Sequence, residues 1–113
     1  MSGVYIIEDS SRNKNGNIFI KVGMSKVDVN KRIETIKKNL HLCGMNSNIK
    51  VKYIIPCSQP LKVEQLLHKL LKIYRVGTSE WHLISEEKLE EKLMVLNGEL
   101  HRYKKIKKII KLI

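Results

Sequence analysis

The chain has 113 residues, room for one domain around one hydrophobic core. Its 42% apolar and 29% charged residues argue against a disordered chain, and no apolar run approaches the roughly 20 residues that cross a bilayer. A formal charge of +11 calls for a polyanionic partner, either nucleic acid or an anionic membrane surface.

In chain order, Met1 leads directly into a strand-like run, and no secretory signal is read there. Residues 3–7 (G-V-Y-I-I) and 18–24 (I-F-I-K-V-G-M) are rich in β-branched and aromatic types and predict two strands. The polar run between them contains Asn-Gly, which predicts the loop of a hairpin. Ser25 to Asp28 lead into a helix whose apolar positions are Val29, Ile33, Ile36 and Leu40. Residues 41–48 read as a loop, and 49–57 as a third strand. Pro60 stands where helices begin. Val63, Leu66, Leu67, Leu70, Leu71 and Tyr74 then give the clearest helical pattern in the chain, with Gly77 as its stop. A short E-W-H-L-I run follows, and Ser85 caps a last helix that carries Glu86 and Glu87 in its first turn.

Charge is unevenly spread. Residues 100–113 hold six basic groups and no acidic one, and Ile106, Ile109, Ile110 and Ile113 recur there at helical spacing. That segment reads as a basic amphipathic helix. Lys outnumbers Arg 18 to four. Lys is a compact point charge, whereas Arg supplies the fork that reads base edges, so binding directed at the phosphate backbone is expected. Cys43 and Cys57 lack the spacing of a zinc site and read as free thiols in a reducing compartment. A soluble intracellular protein is expected, with nucleus or cytoplasm left open.

The expected fold class is α+β: a small, mainly antiparallel three-stranded sheet flanked by helices, with a basic helix at the C-terminal end. The core should include Val4, Ile6, Ile20, Val22, Ile33, Ile36, Ile55, Leu67, Leu70 and Trp81.

Four residues could carry chemistry. Tyr5 sits on the first strand, where a Tyr is usually a packing residue. Lys21, on the second, could approach Tyr5 across the hairpin, and a nearby ammonium favours phenolate. Arg32 lies at the edge of its helix's apolar stripe, where an Arg either snorkels or grips a phosphate with two parallel bonds. Glu64 flanks the stripe of its own helix, and a carboxylate there suits Mg²⁺. His68 follows one turn later on the same side, although an exposed Glu and His at that spacing are most often a solvated face.

Gly3-Val4-Tyr5 on a first strand, Lys21-Val22-Gly23 on a second, Arg32 within N-K-R-I and Glu64 on a later helix together resemble the GIY-YIG nuclease superfamily. Glu64 with His68, and Gly77 with Glu80-Trp81, look like its phage- and large-virus-type subgroup. The resemblance covers roughly residues 2–85, which would form the nuclease domain, with 86–113 a helical extension packed on it. It implies an endonuclease that hydrolyses phosphodiester bonds of DNA with one Mg²⁺ or Mn²⁺ ion. Tyr5 would be the general base, Arg32 the stabiliser of charge on the phosphate and Glu64 the metal ligand. Lys21 stands where the family name has a second Tyr, as in some restriction-type members. Ile36 stands where some members place a helper His or Tyr. Gly23, His68, Glu80 and Trp81 match the pattern as accessory candidates.

Lys104, Lys105, Lys107, Lys108 and Lys111 would add phosphate contacts. Family members usually recognise DNA through an attached domain; without one this chain would cut loosely, recognise structure, or borrow a protein partner for specificity. Two other readings stay open: a non-catalytic nucleic-acid binder on the same fold, and an interaction or membrane-surface protein acting through the basic helix without inserting.

Overall fold

The computed structural model describes the backbone of residues 1–42, 48–102 and 110–111. The first two strands, β1 (Gly3–Asp9) and β2 (Asn17–Ser25), form the expected antiparallel hairpin. Lys14 and Asn17 exchange both backbone hydrogen bonds at 2.9 Å around Asn15 and Gly16, whose φ angles are 52° and 78°. Two successive positive φ values are what a tight two-residue hairpin turn requires, and Asn-Gly is the pair that accepts them.

The remaining strands build outward from this hairpin. β3 (Ile49–Pro56) pairs with the free side of β1, and β4 (Trp81–Ser85) with the free side of β2. The sheet is thus four antiparallel strands rather than three, and the two-residue β5 (Ile110–Lys111) extends it on β3 to give the order β4-β2-β1-β3-β5. Three helices complete the α+β fold: α1 (Val29–Leu42), α2 (Pro60–Leu70) and α3 (Glu86–Arg102).

Strand alternation sends neighbouring side chains to opposite faces. On one face, Val4, Ile6, Ile20, Val22 and Ile55 meet Val63, Leu67 and Leu71 from α2 and its following turn, and Leu89, Leu93 and Leu96 from α3. On the other, Tyr5, Ile7, Val51 and Ile54 meet Val29 and Ile33 of α1. A sheet covered on both sides has no polar-out face, which is why β1 reads as a continuous apolar run. Leu89, Leu93 and Leu96 pack α3 into the larger core. Ile36, Leu70 and Trp81, expected inside, are half-buried and pack against the margins of the two cores.

A register shift between Ile6 and Ile7 marks a bulge at Lys52 of β3. Lys52 is buried, with its ammonium 3.3 Å from the buried Glu8 and also paired with Glu86 at the start of α3. Asn13 donates to the same Glu8 carboxylate at 2.8 Å. Burial alone would pull the Lys52 pKa down, but the hydrogen bonds and charges of Glu86 and Glu8 outweigh it and raise it.

Two expectations change. The helix predicted to run to Tyr74 and stop at Gly77 ends at Leu70, and residues 72–74 form a 3₁₀ turn. Leu71, fully buried, leaves the helical conformation with ψ near 4°, and the chain turns toward the edge of β2. Gly77 instead takes φ +58° in the tight loop before β4, where Val76 N–H bonds the Trp81 carbonyl at 2.9 Å. The basic helix expected over 101–113 falls mainly on residues outside the described ones, among them Lys104, Lys105, Lys107 and Lys108. Within that segment Ile110 and Lys111 are strand, not helix, and pair with Ile54 and Tyr53. The edge of β3 offers unpaired backbone groups that a two-residue strand can satisfy. No helix among the described residues is long and apolar enough to cross a membrane.

Candidate functional site

Tyr5 lies on the α1 side of the sheet, directly opposite Gly23 on β2. The missing side chain at 23 is what lets the ring lie across the neighbouring strand. A Cβ there would stand 2.7 Å from Cε2 of Tyr5 and nearer still to Cζ and the phenol oxygen. Tyr5 is 3% exposed. Its oxygen makes no hydrogen bond among the described residues, and it is not a sealed-off polar atom either. The oxygen is therefore part of the small fraction of Tyr5 that meets solvent. The ring is gripped while the hydroxyl is left free.

Lys21 lies two residues before Gly23 on the same strand, and so on the same face. Its ammonium reaches the Glu80 carboxylate at 3.1 Å. The hydrogen bond and charge of Lys21 hold the Glu80 carboxyl below its ordinary pKa. Lys21 thus brings Glu80 to the face that Tyr5 occupies. Phe19, on that face too, stacks on Trp81 of β4 with ring centroids 4.7 Å apart and planes 5° from parallel. The guanidinium of Arg12 lies 5.6 Å from the Phe19 centroid, so a cation caps the stack.

Arg32 is exposed on α1, the helix that covers this face. Asp28 caps that helix by accepting from the Asn30 and Lys31 N–H groups at 3.0 and 3.4 Å. Lys31, Lys37 and Lys38 are exposed on the same helix.

Glu64 belongs to the opposite layer, on α2, where Val63 and Leu67 face the other core. It is half-buried and makes no hydrogen bond or ion pair among the described residues. The pairing of β4 with β2 stops at Trp81 and Lys21, so Val22 to Ser25 have no strand neighbour on that side among the described residues. Tyr5, Lys21 and Gly23 thus share one face, with Arg32 on its covering helix, and Glu64 lies on α2, the helix of the other layer.

His68, one turn after Glu64, faces His82 of β4 with ring centroids 5.7 Å apart. His82 is 1% exposed, and its Nδ1 has no hydrogen-bond partner. Burial, with smaller contributions from His68 and Arg75, lowers its pKa to about 4. Sequence reasoning missed Phe19, Arg12, Arg75 and His82. Phe19 was within reach, since it shares the alternation of Lys21 and Gly23. His82 needed the register of β4, which places it opposite Ile20.

Residues 2–97 match the family model of the T5orf172 domain, a nuclease-like domain associated with homing endonucleases. The match runs through all four long strands and into α3. No curated protein and no solved structure matches the chain.

Proposed function

The chain belongs to the T5orf172 family, whose character is nuclease-related or DNA-binding, and from that premise we propose that it is a metal-dependent endonuclease of the GIY-YIG type, hydrolysing phosphodiester bonds of DNA. The observation that carries this reading is the buried Tyr5 ring lying over Gly23, with a phenol oxygen that makes no hydrogen bond among the described residues. A general base needs a fixed ring and an accessible oxygen.

In this reading Tyr5 takes the proton of the attacking water. Arg32 neutralises the charge that builds on the non-bridging oxygens, where its fork matches two of them. Lys21 keeps Glu80 beside the cleft, and the Phe19–Trp81 stack forms a flat apolar wall. Among the described residues no three His, Cys, Asp or Glu side chains gather to enclose a metal. The lone carboxylate of Glu64 would hold Mg²⁺ or Mn²⁺, with water and substrate phosphate completing the shell. When bound, the ion would stabilise the leaving oxygen. The exposed lysines of α1 would hold the DNA backbone, and a protein partner would supply sequence specificity.

A non-catalytic nucleic-acid binder on the same fold is the second reading, favoured by the position of Glu64 on the layer opposite Tyr5. Cleavage of supercoiled plasmid, single-stranded and branched DNA, with Mg²⁺ and with chelator, separates the two. The enzyme cuts at least one of them only with metal. Tight binding to all three without any cleavage supports the binder.

A further inference from the structure

A second basic hollow, of about 470 Å³, lies on the α2 side of β4. Its walls include His68 and Lys69 of α2, Lys72 and Arg75 of the following turn, Glu80, and His82 of β4. We propose that this hollow binds a backbone phosphate of the nucleic acid, one that is not cut, and so sets how the strand crosses the cleft. The proposal rests on the nucleic-acid reading above, and on neither metal nor cleavage.

Three observations support it. The first is charge: Lys69, Lys72 and Arg75 carry three fixed positive charges there, against Glu80 alone. Glu80 is already neutralised by Lys21 at 3.1 Å. The second is rigidity. Arg75 donates from Nε to the Ser79 carbonyl and from Nη2 to the Thr78 carbonyl, both at 2.8 Å. Its backbone also bridges to that of His82. The guanidinium is therefore fixed by the loop, with donors left over. The third is a reporter: the His82 ring forms part of the wall, 5.7 Å from the ring of His68, so an anion held in the hollow changes the field at both.

Placement gives the site its purpose. Glu80 lines the hollow and is bonded to Lys21 on the Tyr5 face, so the hollow and the candidate cleft meet around Glu80. A strand with one phosphate at Tyr5 can turn past Glu80 and Trp81 and set another in the hollow.

The test uses the full chain in chelator, so that cleavage plays no part. Affinity for a fluorescein-labelled DNA strand is measured against salt for the wild type, for Lys69→Gln/Lys72→Gln, and for the control Lys88→Gln/Lys92→Gln on α3. Loss of one phosphate contact should flatten the slope of log affinity against log salt by about 0.7 to 0.9 and weaken binding several-fold; the control should change neither. Equal losses in both double variants would reduce the effect to net charge and overturn the site. In parallel, inorganic phosphate is titrated while the His68 and His82 ring resonances are followed. They should shift in the wild type and less in the Lys69→Gln/Lys72→Gln variant. Unmoved resonances, or a phosphate response without any loss of DNA affinity in that variant, would overturn the assignment. A protein that never cuts DNA yet shows the pocket-dependent slope would keep this site and lose only the nuclease reading.

Discussion

Tyr5 and Gly23 are strand partners in which one residue's absent side chain holds the other's ring in place. The pair ties together the two short motifs at the start of the chain. G-V-Y supplies the ring, and K-V-G supplies the gap it lies across. Gly23→Ala should therefore act through Tyr5. An added methyl there overpacks the site, at a typical cost of about 1–3 kcal/mol. In a Tyr5→Ala background the same change should cost much less, a coupling that a double-mutant cycle in urea reads directly. Additive losses would show that Gly23 is needed for some reason other than the ring.

The buried Lys52 offers a test of stability alone. Lys52→Met leaves the Glu8 carboxylate buried with only the Asn13 amide beside it. Removing one partner of a buried pair typically costs about 3–5 kcal/mol. Replacing both, as Lys52→Met with Glu8→Leu, should recover most of that loss. The raised Lys52 pKa makes its contribution fully present below the ordinary 10.5, and lost only as pH rises through the folded value. Urea midpoints of the wild type should therefore show no effect of this group between pH 5 and 8.

His82 has the opposite sign. Its folded pKa of about 4 lies below the ordinary 6.5, so between those values the unfolded chain binds more protons. Stability from this group is present above pH 6.5 and falls as pH falls toward 4. At pH 5 the loss should be about 2 kcal/mol relative to pH 8. His82→Leu should flatten that decline, since a neutral side chain of similar size fills the space and leaves no orphaned nitrogen. A decline as steep in the variant would assign the pH dependence to the carboxylates instead.

Much of this architecture is readable from local pattern. The hairpin follows from Asn15-Gly16 between two β-branched runs, and α2 from the spacing of Val63, Leu67 and Leu70. What escapes local reading is long-range pairing. The short E-W-H-L-I run can be read as a further, weaker strand from its position, but its place as β4 on the edge of β2 follows only from the pairing. That pairing cuts α2 short at Leu70, against a helical pattern continuing to Tyr74. Ile110 and Lys111 likewise take strand conformation against their helical spacing, because β3 presents a free edge. In the candidate site, Tyr5, Lys21 and Gly23 could be placed on one face by alternation alone. The layer of Glu64 could not, since helical periodicity shows which side of α2 is buried but not which face of the sheet buries it.

Glu64 and Tyr5, on helix and strand of different layers, are the decisive pair for catalysis. Glu64→Ala should abolish metal-dependent cleavage while leaving DNA affinity in chelator nearly unchanged, because it removes a metal ligand and no phosphate contact. Tyr5→Phe should match it in cleavage for a different reason. It deletes the oxygen that carries the proton and keeps the ring, so the packing over Gly23 and the stability of the sheet should persist. General acid–base contributions run to about 10²- to 10⁴-fold, large enough to read on a gel. The two variants should then part company in metal dependence: residual cleavage by Tyr5→Phe should still respond to Mg²⁺ concentration, and that of Glu64→Ala should not. If Glu64→Ala cuts at the wild-type rate while Tyr5→Phe does not, the ion is held elsewhere, and the Glu64 carboxylate is no part of the centre. If both cut at the wild-type rate, the cleft across Gly23 is not where the phosphodiester is broken.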